Sequence, residues 1–144
     1  MGSKKVTIAV EGPTDVAVVG RVLALAEFEM GPVHGRQGKG WLDKNLNGYN
    51  RAAHRVRWVV LRDFDLDAAC VPELLERLLP NPGPQMRFRI AVHEVEAWLL
   101  ADRERAAKFL AVPLSKIPVD PETLAHPKME MVSLARFSRN RLIR

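Results

Sequence analysis

The chain is poor in several things that would otherwise assign it a class. It has one cysteine, Cys70, so no disulfide can form within it, and such usage fits a reducing, cytoplasmic setting. Nowhere does an apolar run approach the roughly 20 residues needed to cross a bilayer. The basic start, Met1-Gly2-Ser3-Lys4-Lys5, is followed by only a few apolar residues before Glu11, too short a stretch to expect a secretory leader. There is no Gly-x-x-x-x-Gly-Lys-Ser/Thr run, which is consistent with a module that relies on an ATPase partner. No internal repeat or low-complexity linker interrupts the 144 residues, a length that suits one core.

What is present is ordinary in bulk, 47% hydrophobic and 27% charged, but uneven in charge. The formal net charge is +5, which suggests a polyanionic partner. Between Arg36 and Arg62 stand seven basic residues (Arg36, Lys39, Lys44, Arg51, Arg55, Arg57, Arg62) against one acid, Asp43, with Trp41 and Tyr49 interleaved. Such a strip can follow a phosphate backbone and offer an aromatic face to a base, and it can equally be a solvated helix face. A second basic cluster, Arg136, Arg139, Arg141 and Arg144, closes the chain.

The informative stretch is Trp58-Val59-Val60-Leu61-Arg62-Asp63-Phe64-Asp65-Leu66-Asp67. Its apolar beginning reads as a strand buried on both faces of a parallel sheet. The acids then sit at a strand's carboxyl end, where extended backbone would project Asp63 and Asp65 the same way and turn Phe64 inward. Two adjacent carboxylates repel unless one is protonated or a cation lies between them, and hard oxygen donors favour Mg²⁺ or Mn²⁺ over zinc. A solvated acidic turn would read the same over so short a motif.

The rest of the chain alternates strand and helix. A strand over 4–10 runs into Glu11-Gly12-Pro13-Thr14-Asp15, with Thr14 placed as N-cap of a helix reaching about Glu29. A short strand is expected around 33–37, a helix over 41–55, the central strand over 56–62, a helix over 71–79 and a fourth strand over 86–92. The segment from His93 opens another helix that continues with breaks to about Leu110, and a last helix covers 127–138. This pattern predicts an α/β fold with a mainly parallel four-stranded sheet flanked by helices. A domain over 4–102 would carry a small helical extension over 103–144 packed on it. In such sheets sites form at strand carboxyl ends, and three of the four strands end in acid: at Glu11, at Asp63 and Asp65, and at Glu94 and Glu96.

With those residues in that order, the chain resembles TOPRIM domains, the Rossmann-like fold of topoisomerases, bacterial primases, recombination mediators and OLD-family nucleases. Val10-Glu11-Gly12-Pro13-Thr14-Asp15 resembles the glutamate motif, and Leu61-Arg62-Asp63-Phe64-Asp65 the Asp-x-Asp motif. Asp15 and the run Glu94-Val95-Glu96-Ala97-Trp98 are most similar to the OLD-like branch and to small TOPRIM-like proteins, some found beside ATPases. The resemblance implies Glu11 as metal ligand or general acid-base, and Asp63 and Asp65 as the metal pair. Asp15, and Glu94 or Glu96, would complete the ligand set, and Asp67 would be a further acid or a turn cap. A regular helix would set Glu94 and Glu96 about 200° apart, whereas a continuing strand would point them together. Tyr49, the only tyrosine, sits in a basic, hydrophilic stretch unlike a topoisomerase nucleophile.

The function expected is Mg²⁺- or Mn²⁺-dependent phosphodiester hydrolysis of DNA or RNA, with Arg36, Lys39, Lys44 and Arg62 on the nucleic acid. The alternative is a partner-activated or non-catalytic subunit that binds nucleic acid and works with an ATPase, with a homodimer left open and no membrane involved. Asp63-Phe64-Asp65 also resembles the haloacid-dehalogenase nucleophile motif. There, however, the motif opens the first strand and continues with glycine, whereas Leu66-Asp67 follows here.

Overall fold

The computed structural model describes residues 4–144. Tertiary contacts divide it after Ala91 into two compact units, and residue 102, the expected boundary, lies inside the second.

The first unit is an α/β layer structure. Its elements are β1 (Lys5–Val10), α1 (Pro13–Leu25), β2 (Glu29–Gly35), α2 (Lys39–Ala52), β3 (Trp58–Asp63), α3 (Val71–Leu78) and β4 (Met86–Ala91). The four strands form one sheet in the order β2-β1-β3-β4 with every pairing parallel, the Rossmann-like arrangement that alternating strands and helices lead one to expect. β1 and β3 are central, and Ile8, Ala9, Val10 and Val60 are fully buried, which accounts for their unbroken apolar runs. Ala9, Val60 and Phe88 line one face and pack with Leu42 and Leu46 of α2 and with Leu79. The chain leaves β1 towards β2 and leaves β3 towards β4, in opposite directions across the sheet. The switch point, where α/β sheets open a crevice, is therefore between the carboxyl ends of β1 and β3.

Helix and strand limits differ from the sequence expectation for identifiable reasons. Gly12, extended at φ −146°, is the N-cap of α1 in place of Thr14, because Pro13 suits the first helical position, where no N–H is needed. The Asp15 carboxylate reaches back and accepts the Gly12 N–H at 2.8 Å. The helix stops at Leu25 rather than near Glu29, since Glu27 turns left-handed at φ 59°. Glu29 instead opens β2, which runs along the sheet edge and so tolerates Pro32. β3 starts at Trp58 and includes Asp63, and β4 ends at Ala91.

The second unit, from Val92 onward, is helical: α4 (Val95–Ala101), α5 (Arg103–Leu110), two short 3₁₀ turns, and α6 (Pro127–Arg136). Asp102 separates the first two helices and caps the second by accepting the Arg105 N–H at 3.2 Å. Leu100, Ala107, Leu110, Val112, Ile117 and Leu134 make its own core. No helix among the described residues is long and apolar enough to cross a membrane.

Candidate acidic site at the strand ends

The site begins with two backbone clamps on the end of β1. The loop leaving β2 donates the Arg36 N–H to the Val10 carbonyl at 2.8 Å and the Gly38 N–H to the Glu11 carbonyl at 3.1 Å. Gly35 makes this possible: at φ 80° it lies so close to β1 that a Cβ would collide with the Val10 carbonyl oxygen. Glu11 is thus held at the switch point, and its Oε1 accepts the backbone N–H of Asp63 at 2.9 Å, across 52 residues of sequence. The glutamate and Asp-x-Asp stretches therefore meet.

Beyond Asp63 the strand geometry ends. Phe64 is buried, its N–H donates to the Ala91 carbonyl, and the Asp67 N–H closes a four-residue turn on the Phe64 carbonyl. The central residues of that turn, Asp65 and Leu66, are both left-handed at φ 50° and 57°. The sequence expectation that Asp63 and Asp65 share one extended stretch does not hold, since β3 ends at Asp63 and Asp65 lies within the turn. Left-handed backbone costs a non-glycine residue about 1 kcal/mol, so side-chain interactions must hold the turn.

Two cations do so. Arg62 is 2% exposed and donates from Nε to Asp43 Oδ1 at 2.8 Å and from Nη2 to Asp43 Oδ2 at 3.0 Å. It also donates to Asp67 Oδ2 at 2.6 Å and from Nη1 to the Asp63 carbonyl at 2.7 Å. Burial alone would lower its pKa, but the Asp43 and Asp67 carboxylates outweigh burial and raise it. Lys39, the first residue of α2, is half-buried and bridges Asp65 Oδ2 at 3.1 Å and Asp67 Oδ2 at 3.0 Å. The hydrogen bond to Asp67 raises the Lys39 pKa against the opposing effect of burial, and Asp65 adds to the rise. Asp67 is correspondingly held below the usual carboxylate range, by Arg62 first and Lys39 second. Arg77 further anchors the turn by donating to the Asp67 carbonyl at 2.8 Å.

Glu11 has the opposite environment. Burial raises its pKa to about 7. The Asp63 N–H and Arg62 oppose the rise, and the nearby charges of Asp65 and Asp15 add to it. The switch point therefore gathers several carboxylates, whose oxygens are hard donors. That chemistry suits a divalent ion such as Mg²⁺ or Mn²⁺. As the side chains stand, however, no three Asp, Glu, His or Cys groups among the described residues are gathered to hold a metal ion.

The sequence-predicted site residues separate into three groups. Glu11, Asp63 and Asp65 come together at the switch point, with Asp15 close enough to act on Glu11. Glu94 and Glu96 belong to the second unit. Glu94 is the extended N-cap of α4 and accepts the Lys128 N–H at 2.8 Å, at the start of α6, while Glu96 is buried in the first turn of α4. β4 has ended before either, so no strand points them together.

Among the basic residues, Arg62 requires correction. It is interior and saturated by acids, so it is not available to nucleic acid. Lys39 is engaged with acids, whereas Arg36 and Lys44 are exposed. Nor is the basic strip one surface. α2, some 20 Å long by its 14 residues, carries Lys39 at its start by the acids and Arg51 in its last turn. Arg57 lies over the Phe28 ring, 5.6 Å from its centroid. Sequence reasoning missed Asp43 as the buried arginine's partner; the only signal was its being the single acid in the strip. No protein-family model, curated protein or solved structure matches the chain.

Proposed function

We propose that the chain is a TOPRIM-like, Mg²⁺- or Mn²⁺-dependent phosphodiesterase acting on DNA or RNA. The observation that supports this reading best is the hydrogen bond from the Asp63 N–H to Glu11 Oε1. It joins two acid-bearing strand ends at the topological switch of a parallel sheet, the place where such folds bind ligands. Glu11, Asp63 and Asp65 would hold the ion, which when bound supplies Lewis acidity for water and for the leaving oxygen. Glu11 is raised to about 7 by burial, so taking the ion would displace its proton near neutral pH. Arg36 and Lys44, both exposed, would pair with backbone phosphates.

The expected outcome is cleavage of a labelled oligonucleotide that requires Mg²⁺ or Mn²⁺ and falls at least about a hundredfold in Asp63→Ala. Equal cleavage by variant and parent would remove the reading.

One observation favours a second reading, in which the chain is a partner-activated subunit, an ATPase being the partner expected. Lys39 already pairs with Asp65 and Asp67, so a cation of the chain itself occupies part of the acidic site. Metal and nucleic-acid binding without cleavage until a partner is added would select it.

A further inference from the structure

The acids at the switch point already have a cation of their own. Lys39 Nζ lies 3.1 Å from Asp65 Oδ2 and 3.0 Å from Asp67 Oδ2. The two carboxylates differ in what they would lose without it. Asp67 also holds Arg62 at 2.6 Å and would stay paired. Asp65 has Lys39 as its one ion-pair partner among the described residues. An ammonium and a divalent ion cannot both occupy this space: a metal–oxygen bond is about 2.1 Å long, and the two cations would repel strongly within about 4 Å of each other.

We propose that Lys39 is an exchangeable counter-cation which must leave Asp65 before a divalent ion binds there, and that the phosphate of an incoming nucleic acid is what draws it away. The proposal rests on the metal-dependent reading above. It makes metal and nucleic acid bind cooperatively through one side chain: Lys39 trades a carboxylate for a phosphate oxygen, and Asp65 trades an ammonium for the ion. The geometry allows the trade because Lys39 is the first residue of α2, so its Cα stays fixed while its four-carbon stem swings. It is also half-exposed, so a phosphate can reach it. Arg62 keeps the Asp63–Asp67 turn in place throughout, being anchored on Asp43 as well.

Mn²⁺ binding, followed by the loss of the free-ion paramagnetic resonance signal, tests this without any cleavage assay. Lys39→Met should bind Mn²⁺ about three- to tenfold more tightly than the parent, the size expected for removing a part-exposed competing charge. Lys39→Arg, which keeps the charge, should stay within about twofold of the parent and shows that the position tolerates substitution. A single-stranded phosphorothioate oligodeoxynucleotide should tighten Mn²⁺ binding to the parent but not to Lys39→Met. Binding to Lys39→Met no tighter than to a parent that binds measurably overturns the exchange and leaves the metal-dependent reading intact. An oligonucleotide effect of equal size in both proteins, or in neither, overturns the phosphate half. Absence of Mn²⁺ binding in all three overturns this proposal and the reading beneath it.

Discussion

The acidic end of the first unit has an inner and an outer layer, and the two treat a carboxylate–cation pair differently. Inside, Arg62 is dry and donates to two carboxylates and a carbonyl, so removing it would empty a sealed space and take one donor from three acceptors. Outside, Lys39 and Asp65 are about one-third exposed, so water replaces either partner at small cost. The same ion-pair chemistry is therefore architectural in one layer and exchangeable in the other. Solvent access sets the difference, because desolvation penalises a broken pair only where water cannot return.

The comparison breaks most visibly at Arg62. Arg62→Ala is expected to destabilise the protein by about 3 kcal/mol in a denaturant titration, combining the lost hydrogen bonds with a cavity. A loss below about 1 kcal/mol would mean that the inner layer is no more structural than the outer one.

A smaller effect is expected at Glu11, between the layers, and it depends on pH. Its folded pKa of about 7 exceeds the ordinary 4.5. The associated stability is therefore complete below about pH 4.5 and is lost as pH rises through about 7. Glu11→Gln keeps an oxygen for the Asp63 N–H but cannot ionise. It should match the parent at pH 4.5 and be more stable by about 1 kcal/mol at pH 8, after discounting for partial exposure. Parallel melting-temperature profiles for the two proteins would show that Glu11 does not carry this proton.

The smallest effect belongs to the outer layer. Lys39→Met should change stability by less than about 1 kcal/mol. A loss as large as that of Arg62→Ala would show Lys39 to be structural and not free to exchange.

The comparison also explains what could be read in advance. Strand ends at Glu11 and Asp63 were legible because central parallel strands need continuous apolar runs, so the first acid marks where burial ends. The left-handed Asp65–Leu66 pair was not legible, since aspartate tolerates positive φ in turns but leucine rarely adopts it. Glu94 and Glu96 have acid at the right interval, but β4 stops at Ala91 and Glu94 instead meets the start of α6. Arg62 lay in a basic run and was assigned to nucleic acid, yet its partner Asp43, 19 residues earlier, comes to it only through the packing of α2.

Local composition and periodicity thus determined the alternation of strands and helices, the all-apolar central strands, and acids at their carboxyl ends, because these follow from backbone period and burial over a few neighbouring residues. Only the tertiary structure decided which charges meet, which are sealed from water, and which remain exchangeable. Those outcomes depend on strand order and helix placement, and on contacts such as that of Glu11 with Asp63, separated by 52 residues of chain.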